Sequence, residues 1–563
     1  MTESAAAPRV APHTAPQHES KSYFGRLRAA WRALLFIPDP TLEFSFEERE
    51  IARLHAATAA PDTASIDAQT WGDLLVERYL RLFARGVSIF GQQVLYRRLR
   101  AGSDDAACLA DGTRVRALLA DPAQLARLGQ ACQPLRRAGI DIASLLFAAR
   151  DTQARAAQAA RPAWTRWIGL VGPGFLAALL GTFIWPRAWL GVGIGFALLV
   201  AIRFRYIAAI EGWQLSLDSL QQLLAVCGNL GDCGDSGEPL LHEFAALRGR
   251  AARINRSLSR SPILVFLASA KDYIDWFLLT NVRHYFKTVA LVDEHIVALR
   301  QFYLLAANLE ADLALARHLQ DRGGYCWAER HAGADVAFEN VVNPLLTHAA
   351  PLSIALGGKG AFISGQNGVG KSTLLRTIGL NLIVARAFGF CYARGAAVST
   401  RPVYASMQNE DAMLGGESLY IAELRRASEM LASLDGPHGG IYIIDEVFRG
   451  TNHLESVAAA TAVLEQLASR ATVIVSSHNL VLAPLLAHCL QPLHVSLSQG
   501  DPGQLAVLPG VLVHTNGISL LSERGFNARL QARAGEVFDW LNRYLAHPAE
   551  FVDLPLPASI SSE

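Results

Sequence analysis

The segment "GQNGVGKS", Gly365 to Ser372, spaces three glycines, a lysine and a serine as a phosphate-binding loop requires. Glycines let the backbone curl until its N–H groups point inward, and a helix starting at the end of the loop adds a positive dipole there. Lys371 is placed to reach the β and γ phosphates, and the Ser372 hydroxyl to ligate magnesium; Gly365, Asn367, Gly368, Gly370 and Thr373 complete the cradle. Further along, "GGIYIIDEVFRGTN" ends an apolar strand in Asp445 and Glu446. Asp445 is suited to hold magnesium and Glu446 to orient and activate an attacking water, since phosphoryl transfer needs mainly positioning and charge neutralisation. A third strand, "TVIVSSH", brings His478 to the same sheet edge, where it suits a γ-phosphate sensor. The chemistry predicted is hydrolysis of ATP with magnesium.

The elements that must carry these groups are legible around them. "AFIS" precedes the loop as a strand, and "TLLRTIGLNLIVARAF" follows it as a helix. From about residue 340, short β-type runs ("AFIS", "IYII", "TVIVSS", "PLHVSL") alternate with helical stretches, which predicts a mostly parallel α/β sheet. Upstream, residues 46–160 and 206–320 show helical periodicity, interrupted near the Gly/Asp-rich "CGNLGDCGDSGEP", which reads as a loop. "YFGRLRAAWRALLF" places Phe24, Leu27, Trp31, Leu34 and Leu35 on one helical face, after a tail without the apolar core of a signal peptide. No internal repeat is present.

The 51 basic and 50 acidic residues give no global basic field for non-specific nucleic-acid binding, so any DNA contact must be local. The seven cysteines form no C-x-x-C pair and predict no zinc site.

Five blocks in order resemble the MutS family of mismatch-repair ATPases, over roughly residues 340–541. "SGQNGVGKSTLLRTIGLNLIVARAFGFCYA" resembles its phosphate loop, and "DAMLGGESLYIAEL" its signature loop through Ser418, Tyr420 and Glu423. "IDEVFRGTNHLES" resembles its D-E-x-x-R-G-T motif through Arg449, Gly450 and Thr451; "SSHNL" and "NGISLLSERGF" with "ARAGEVFDWL" complete the set. More weakly, "SIFGQQVLYRRLR" resembles the opening of its helical core and "VVNPLL" the lead into its ATPase. The resemblance implies a homodimer in which Ser418 acts in trans on the partner's nucleotide. It also makes DNA binding an alternative function, whereas a transporter ATPase of the ABC type is a second alternative suggested only by "LGGES". The chain departs from the pattern at Glu417, where a basic residue is usual, and at Asn343, where a histidine is usual. No adenine-stacking aromatic is evident in "THAAPLSIALGGKGAF". Nothing ahead of the helical core resembles the mismatch-reading domain, and no Phe-x-Glu wedge opens the chain.

Between the two helical stretches lies "GLVGPGFLAALLGTFIWPRAWLGVGIGFALLVAI", residues 169–202, with Arg187 as its one charge. Ile168–Trp185 is about long enough to cross a bilayer, and Pro186-Arg187 reads as a turn. Trp164, Trp167, Trp185 and Trp189 stand as interfacial anchors; Arg161, Arg166, Arg203 and Arg205 flank the run and keep both ends cytoplasmic. A buried hairpin inside a soluble core is the alternative. The expected architecture is therefore an α/β P-loop NTPase domain preceded by a mainly helical core and lever region carrying a two-helix transmembrane hairpin. Its segments are a tail (1–21), a first helical region (22–160), the hairpin (161–213), a second helical region (214–340), the ATPase domain (341–524) and a C-terminal helix and tail (525–563). The location expected is the cytoplasmic membrane, with the ATPase domain on the cytoplasmic side.

Overall fold

The computed structural model describes residues 46–59, 65–148, 167–233, 241–260, 274–407, 419–434, 436, 439–449, 452–497, 505–512, 517 and 519–546. Residues 1–44 and 45–563 form two compact units, and the first, with the expected tail and the Phe24–Leu35 helix, lies outside the described residues.

The first part of the second unit is helical: α1 (Ala68–Asp73), α2 (Val76–Ala84), α3 (Ile89–Ala101), α4 (Asp105–Ala120), α5 (Ile168–Gly181), α6 (Ala188–Cys233), α7 (His242–Leu258), α8 (Thr280–Glu294) and α9 (Ile296–Arg322), with shorter helices between them. Asp67 and Asp104 cap α1 and α4 by accepting backbone N–H groups. The start of α3 is capped from another helix. The buried Glu310 carboxylate of α9 accepts the Ser88 N–H at 2.9 Å and the Gly91 N–H at 3.2 Å. A Cβ on residue 91 would meet Glu310 Oε2 at 2.9 Å, so this contact needs the glycine. The buried pair Arg98–Asp312, 2.7 Å apart, joins the same two helices again.

Downstream, the chain is mixed α/β. Its strands are β1 (Cys326–Trp327), β2 (Glu329–His331), β3 (Val336–Val341), β4 (Leu352–Leu356), β5 (Gly360–Gly365), β6 (Phe390–Cys391), β7 (Gly395–Ser399), β8 (Val403–Ser406), β9 (Ile441–Asp445), β10 (Thr472–Ser476), β11 (Leu490–Leu497) and β12 (Leu505–Pro509). The main sheet has the order β12-β11-β5-β10-β9-β8, parallel throughout except for β12. This is the mostly parallel sheet the alternating runs predict. β5, β9 and β10 are buried along their whole length, as apolar strands covered on both faces must be. The helices here are α10 (Lys371–Phe388), α11 (Leu419–Ser433), α12 (His453–Ala468) and α13 (Ala528–Ala546).

The apolar hairpin differs from its expected form. α5 stops at Gly181 after 14 residues, short of Trp185. The N–H groups of Phe183 and Ile184 turn back on Leu180 and Gly181, and Pro186 cannot continue a helix. α6 instead runs unbroken for 46 residues, about 69 Å at 1.5 Å per residue. It passes through residue 213, where the sequence texture suggests a boundary, and through Gly228 and Gly231, where it suggests a loop. Gly231 explains the second difference: a Cβ there would meet the Phe244 carbonyl of α7 at 2.8 Å, so the glycine serves helix packing. α5 and α6 meet through small residues, since a Cβ at Gly191 would touch Ala178 and one at Gly195 would touch Phe175. Their outward face is exposed among the described residues: Phe183 by 88%, Ile184 by 85%, Leu190 by 73% and Phe204 by 75%. A hairpin buried in a core does not fit this.

Candidate functional site

The parallel strands β5, β10 and β9 are neighbours, and their C-terminal ends deliver three of the sequence motifs to one edge of the sheet. β5 leads into the glycine-rich loop, and the loop into α10. Gly368 and Gly370 take φ of +77° and +101°, a left-handed backbone that side chains resist. Gly365 is held close, since a Cβ there would lie 3.0 Å from Val369 and 3.2 Å from the Val495 carbonyl. Gln366, Asn367 and Gly368 are exposed at the turn, whereas Lys371 is buried. The Lys371 amine donates to the carbonyls of Gly365 at 2.9 Å and Gln366 at 3.1 Å. Burial pulls its pKa below the usual lysine value, while the charges of Glu446 and Asp445 act against that shift.

Asp445 is buried at the end of β9, and the hydroxyl of Ser476, its register partner on β10, donates to its carboxylate. The chain then turns sharply. Glu446 and Phe448 take φ of +64° and +52°, a conformation that costs a non-glycine residue on the order of 1 kcal/mol or more. The Glu446 N–H donates to the Ser476 carbonyl at 2.9 Å, which fixes the turn. The Glu446 carboxylate lies 3.2 Å from His478 Nε2 and 3.6 Å from Arg449 Nε. Burial and the Lys371 charge lower the His478 pKa, with Glu446 and Asp445 opposing them, so the ring is neutral at neutral pH.

Lys371, Asp445, Glu446 and His478 are therefore brought together, with Ser372 and Thr373 in the first turn of α10. Ser418, Gly450 and Thr451 lie outside the described residues. Two residues of separate motifs meet instead: the Arg449 N–H donates to Glu423 at 2.9 Å, and the two side chains pair at 3.8 Å. Tyr420 packs edge-on against Phe448 beside them. Each was legible in its own motif, but nothing in either motif states that they touch. Ser476 was missed; its signal is its place two residues before His478 on a strand flanking Asp445. Asn343, which departs from the family pattern, is buried and accepts the Leu345 N–H at 2.9 Å, holding a turn.

A family model for MutS domain V matches residues 361–519. The DNA mismatch repair protein MutS of Thermus aquaticus is 29% identical over 245 residues, 42% of this chain and 30% of that protein. MutS of Thermotoga maritima is 28% identical over 184 residues, 31% of this chain and 23% of its own length. The DNA mismatch repair protein MSH3 of Mycosarcoma maydis is 33% identical over 125 residues, 22% of this chain and 11% of its own. Over its C-terminal half, the chain belongs to the MutS family. Each match takes in less than a third of the relative's length. MutS domain V is an ATPase-type domain, and the matched residues carry Lys371, Asp445, Glu446 and His478 of this chain.

Proposed function

We propose that this chain is a MutS-type ATPase that binds and hydrolyses ATP with magnesium, works as a homodimer and is anchored in the cytoplasmic membrane by the α5–α6 hairpin. The observation that carries the ATPase reading is the convergence of Lys371, Asp445, Glu446 and His478 on the ends of three adjacent parallel strands. The donor set fits the substrate and its metal. The loop offers inward-turning N–H groups, Lys371 a cation, and Ser372 with Asp445 the hard oxygen ligands that magnesium prefers. Magnesium bound with the triphosphate supplies charge neutralisation. Asn367, Gly368, Gly370 and Thr373 cradle the phosphates, and Lys371 moves from its two carbonyl partners to a phosphate oxygen. Glu446, held by Arg449 and His478, orients the water. The dimer rests on the family resemblance, by which Ser418 reaches the partner's nucleotide.

Glu446→Gln should lower ATP turnover by about 100-fold or more while ATP binding persists. Undiminished hydrolysis would overturn the assignment.

Support for the membrane anchor comes from the exposed apolar face of the hairpin, with α6 long and apolar enough to cross a bilayer. By this reading nucleotide-driven closure moves membrane-inserted helices, with α6 as the rigid connection. Alkaline carbonate extraction should leave the full chain in the membrane pellet; its release intact would sink the anchor and leave the ATPase reading untouched. The names of the relatives support a second reading, a role on duplex DNA. A steep salt dependence of duplex binding would favour it, and no binding at low salt would remove it. The family match favours both over the transporter-type alternative.

A further inference from the structure

The main sheet ends at β8, and the outer edge of that strand is closed by side chains of α1. Thr70 and Asp73 are three residues apart on α1, one helical turn, a spacing close to that of alternate residues along a strand. The Ala405 N–H donates to Thr70 Oγ1 at 2.9 Å, and the Met407 N–H to Asp73 Oδ2 at 2.9 Å. Thr70 Oγ1 itself donates to Asp67 Oδ2 at 2.9 Å and accepts from Arg426 at 3.1 Å, so its hydrogen-bonding capacity is full. Arg426, on α11, reaches the Ala405 carbonyl at 3.2 Å and Asp67 at 3.2 Å. A helix thus occupies the place of a further strand and satisfies both kinds of edge group.

The same joint touches the site from two other directions. Arg376 on α10, the helix that begins at Lys371, donates to the Asp73 carbonyl at 3.1 Å. Leu74 packs on α10 at Gly379, where a Cβ would meet Leu74 at 2.7 Å and Ile443 of β9 at 2.8 Å. Ile443 lies two residues before Asp445, and β8 is the neighbour of β9, with Ser406 opposite Ile444. Leu75, directly after the joint, takes φ +56°, a left-handed conformation that a leucine holds only where packing over-determines it.

We infer that Thr70, Asp73 and Arg426 form a latch through which the helical region sets the position of β8 and β9, and with them Asp445 and Glu446. Thr70 and Asp73 are positioning residues, far in sequence from the motifs and not in contact with nucleotide. A shift of the helical region reaches the carboxylates through this joint and through α10. The inference rests on the ATPase reading.

Asp73→Ala and Thr70→Val in the full chain test it, with Glu446→Gln and the parent protein alongside. The expected result is a turnover number reduced about tenfold or more, with KM for ATP within twofold and one ATP still bound per chain. Asp73→Asn, which keeps an acceptor for the Met407 N–H, should restore turnover to within about threefold. Hydrogen exchange gives a readout free of catalysis: the amides of Ala405, Met407 and Ile443–Asp445 should lose protection in Asp73→Ala. Turnover and protection within twofold of the parent in both variants would overturn the latch. A parent that neither binds nor hydrolyses ATP would instead overturn the ATPase reading and the catalytic part of the latch with it, while the exchange result would still judge the joint.

Discussion

Trp189–Ile207 and Leu217–Leu230 are two stretches of one continuous helix with opposite surroundings. The second buries Leu217, Leu220, Leu223, Leu224, Cys227 and Leu230 in the main core and turns Asp218 and Asn229 to the outside, the stripe of a helix packed on one face. The first has no polar stripe, yet Leu190, Ile194 and Phe204 are each more than 60% exposed. A helix that is apolar all round is stable only inside something apolar. Among the described residues protein supplies that for one stretch and not for the other. The ATPase-type half follows the usual economy, with Lys371, Asp445 and Arg426 buried and each given partners. The hairpin is where that economy is suspended, and lipid is the surrounding that would restore it.

The comparison breaks most visibly under truncation. Leu224→Ala should destabilise the detergent-solubilised protein by about 2–5 kcal/mol, because it removes contacts from a packed core. Leu190→Ala on the same helix should stay within about 0.5 kcal/mol, as for a surface position. Thermal unfolding of both variants measures the contrast. Equal losses would mean that the first stretch packs against protein after all.

The site was more legible than the joint that holds it, for a physical reason. Phosphate and magnesium chemistry demands particular residue types at fixed local spacings, so Gly368, Gly370, Lys371, Asp445, Glu446 and His478 announce themselves within short windows. The parallel sheet was legible too, from apolar runs alternating with helical ones. Contacts between distant segments leave no such trace: Thr70 with Ala405, Glu423 with Arg449 and Glu310 with Ser88 are ordinary residues until the fold brings them together. The hairpin shows a third case. Its composition was read correctly as apolar, but Gly228 and Gly231 were read as a loop, because a glycine placed for close helix contact looks like one placed for a turn. Only the partner, α7, distinguishes the two.

A smaller effect separates the latch from ordinary core packing. Asp73 is buried, and burial raises its pKa from 3.8 to about 6; the Met407 N–H, Arg426, Gln69 and Arg376 each pull the other way without cancelling it. Arg426 of α11 and Arg376 of α10 are the charged groups acting on it from the packed elements. A carboxyl whose folded pKa lies above its unfolded value binds more protons when folded, so stability falls as pH rises through that window. At pH 7.5 the ionised Asp73 therefore carries a burial cost that a neutral asparagine of the same shape avoids. Asp73→Asn should melt at the same temperature as the parent or above it at pH 7.5. That advantage should shrink as pH falls through about 6 toward 3.8, because the parent's own carboxyl becomes protonated. Melting curves at pH 7.5 and pH 5 check this. A variant less stable than the parent at pH 7.5 would mean that the two arginines repay the charge in full, and that Asp73 is held by ion pairing and not by its bond to the edge of β8.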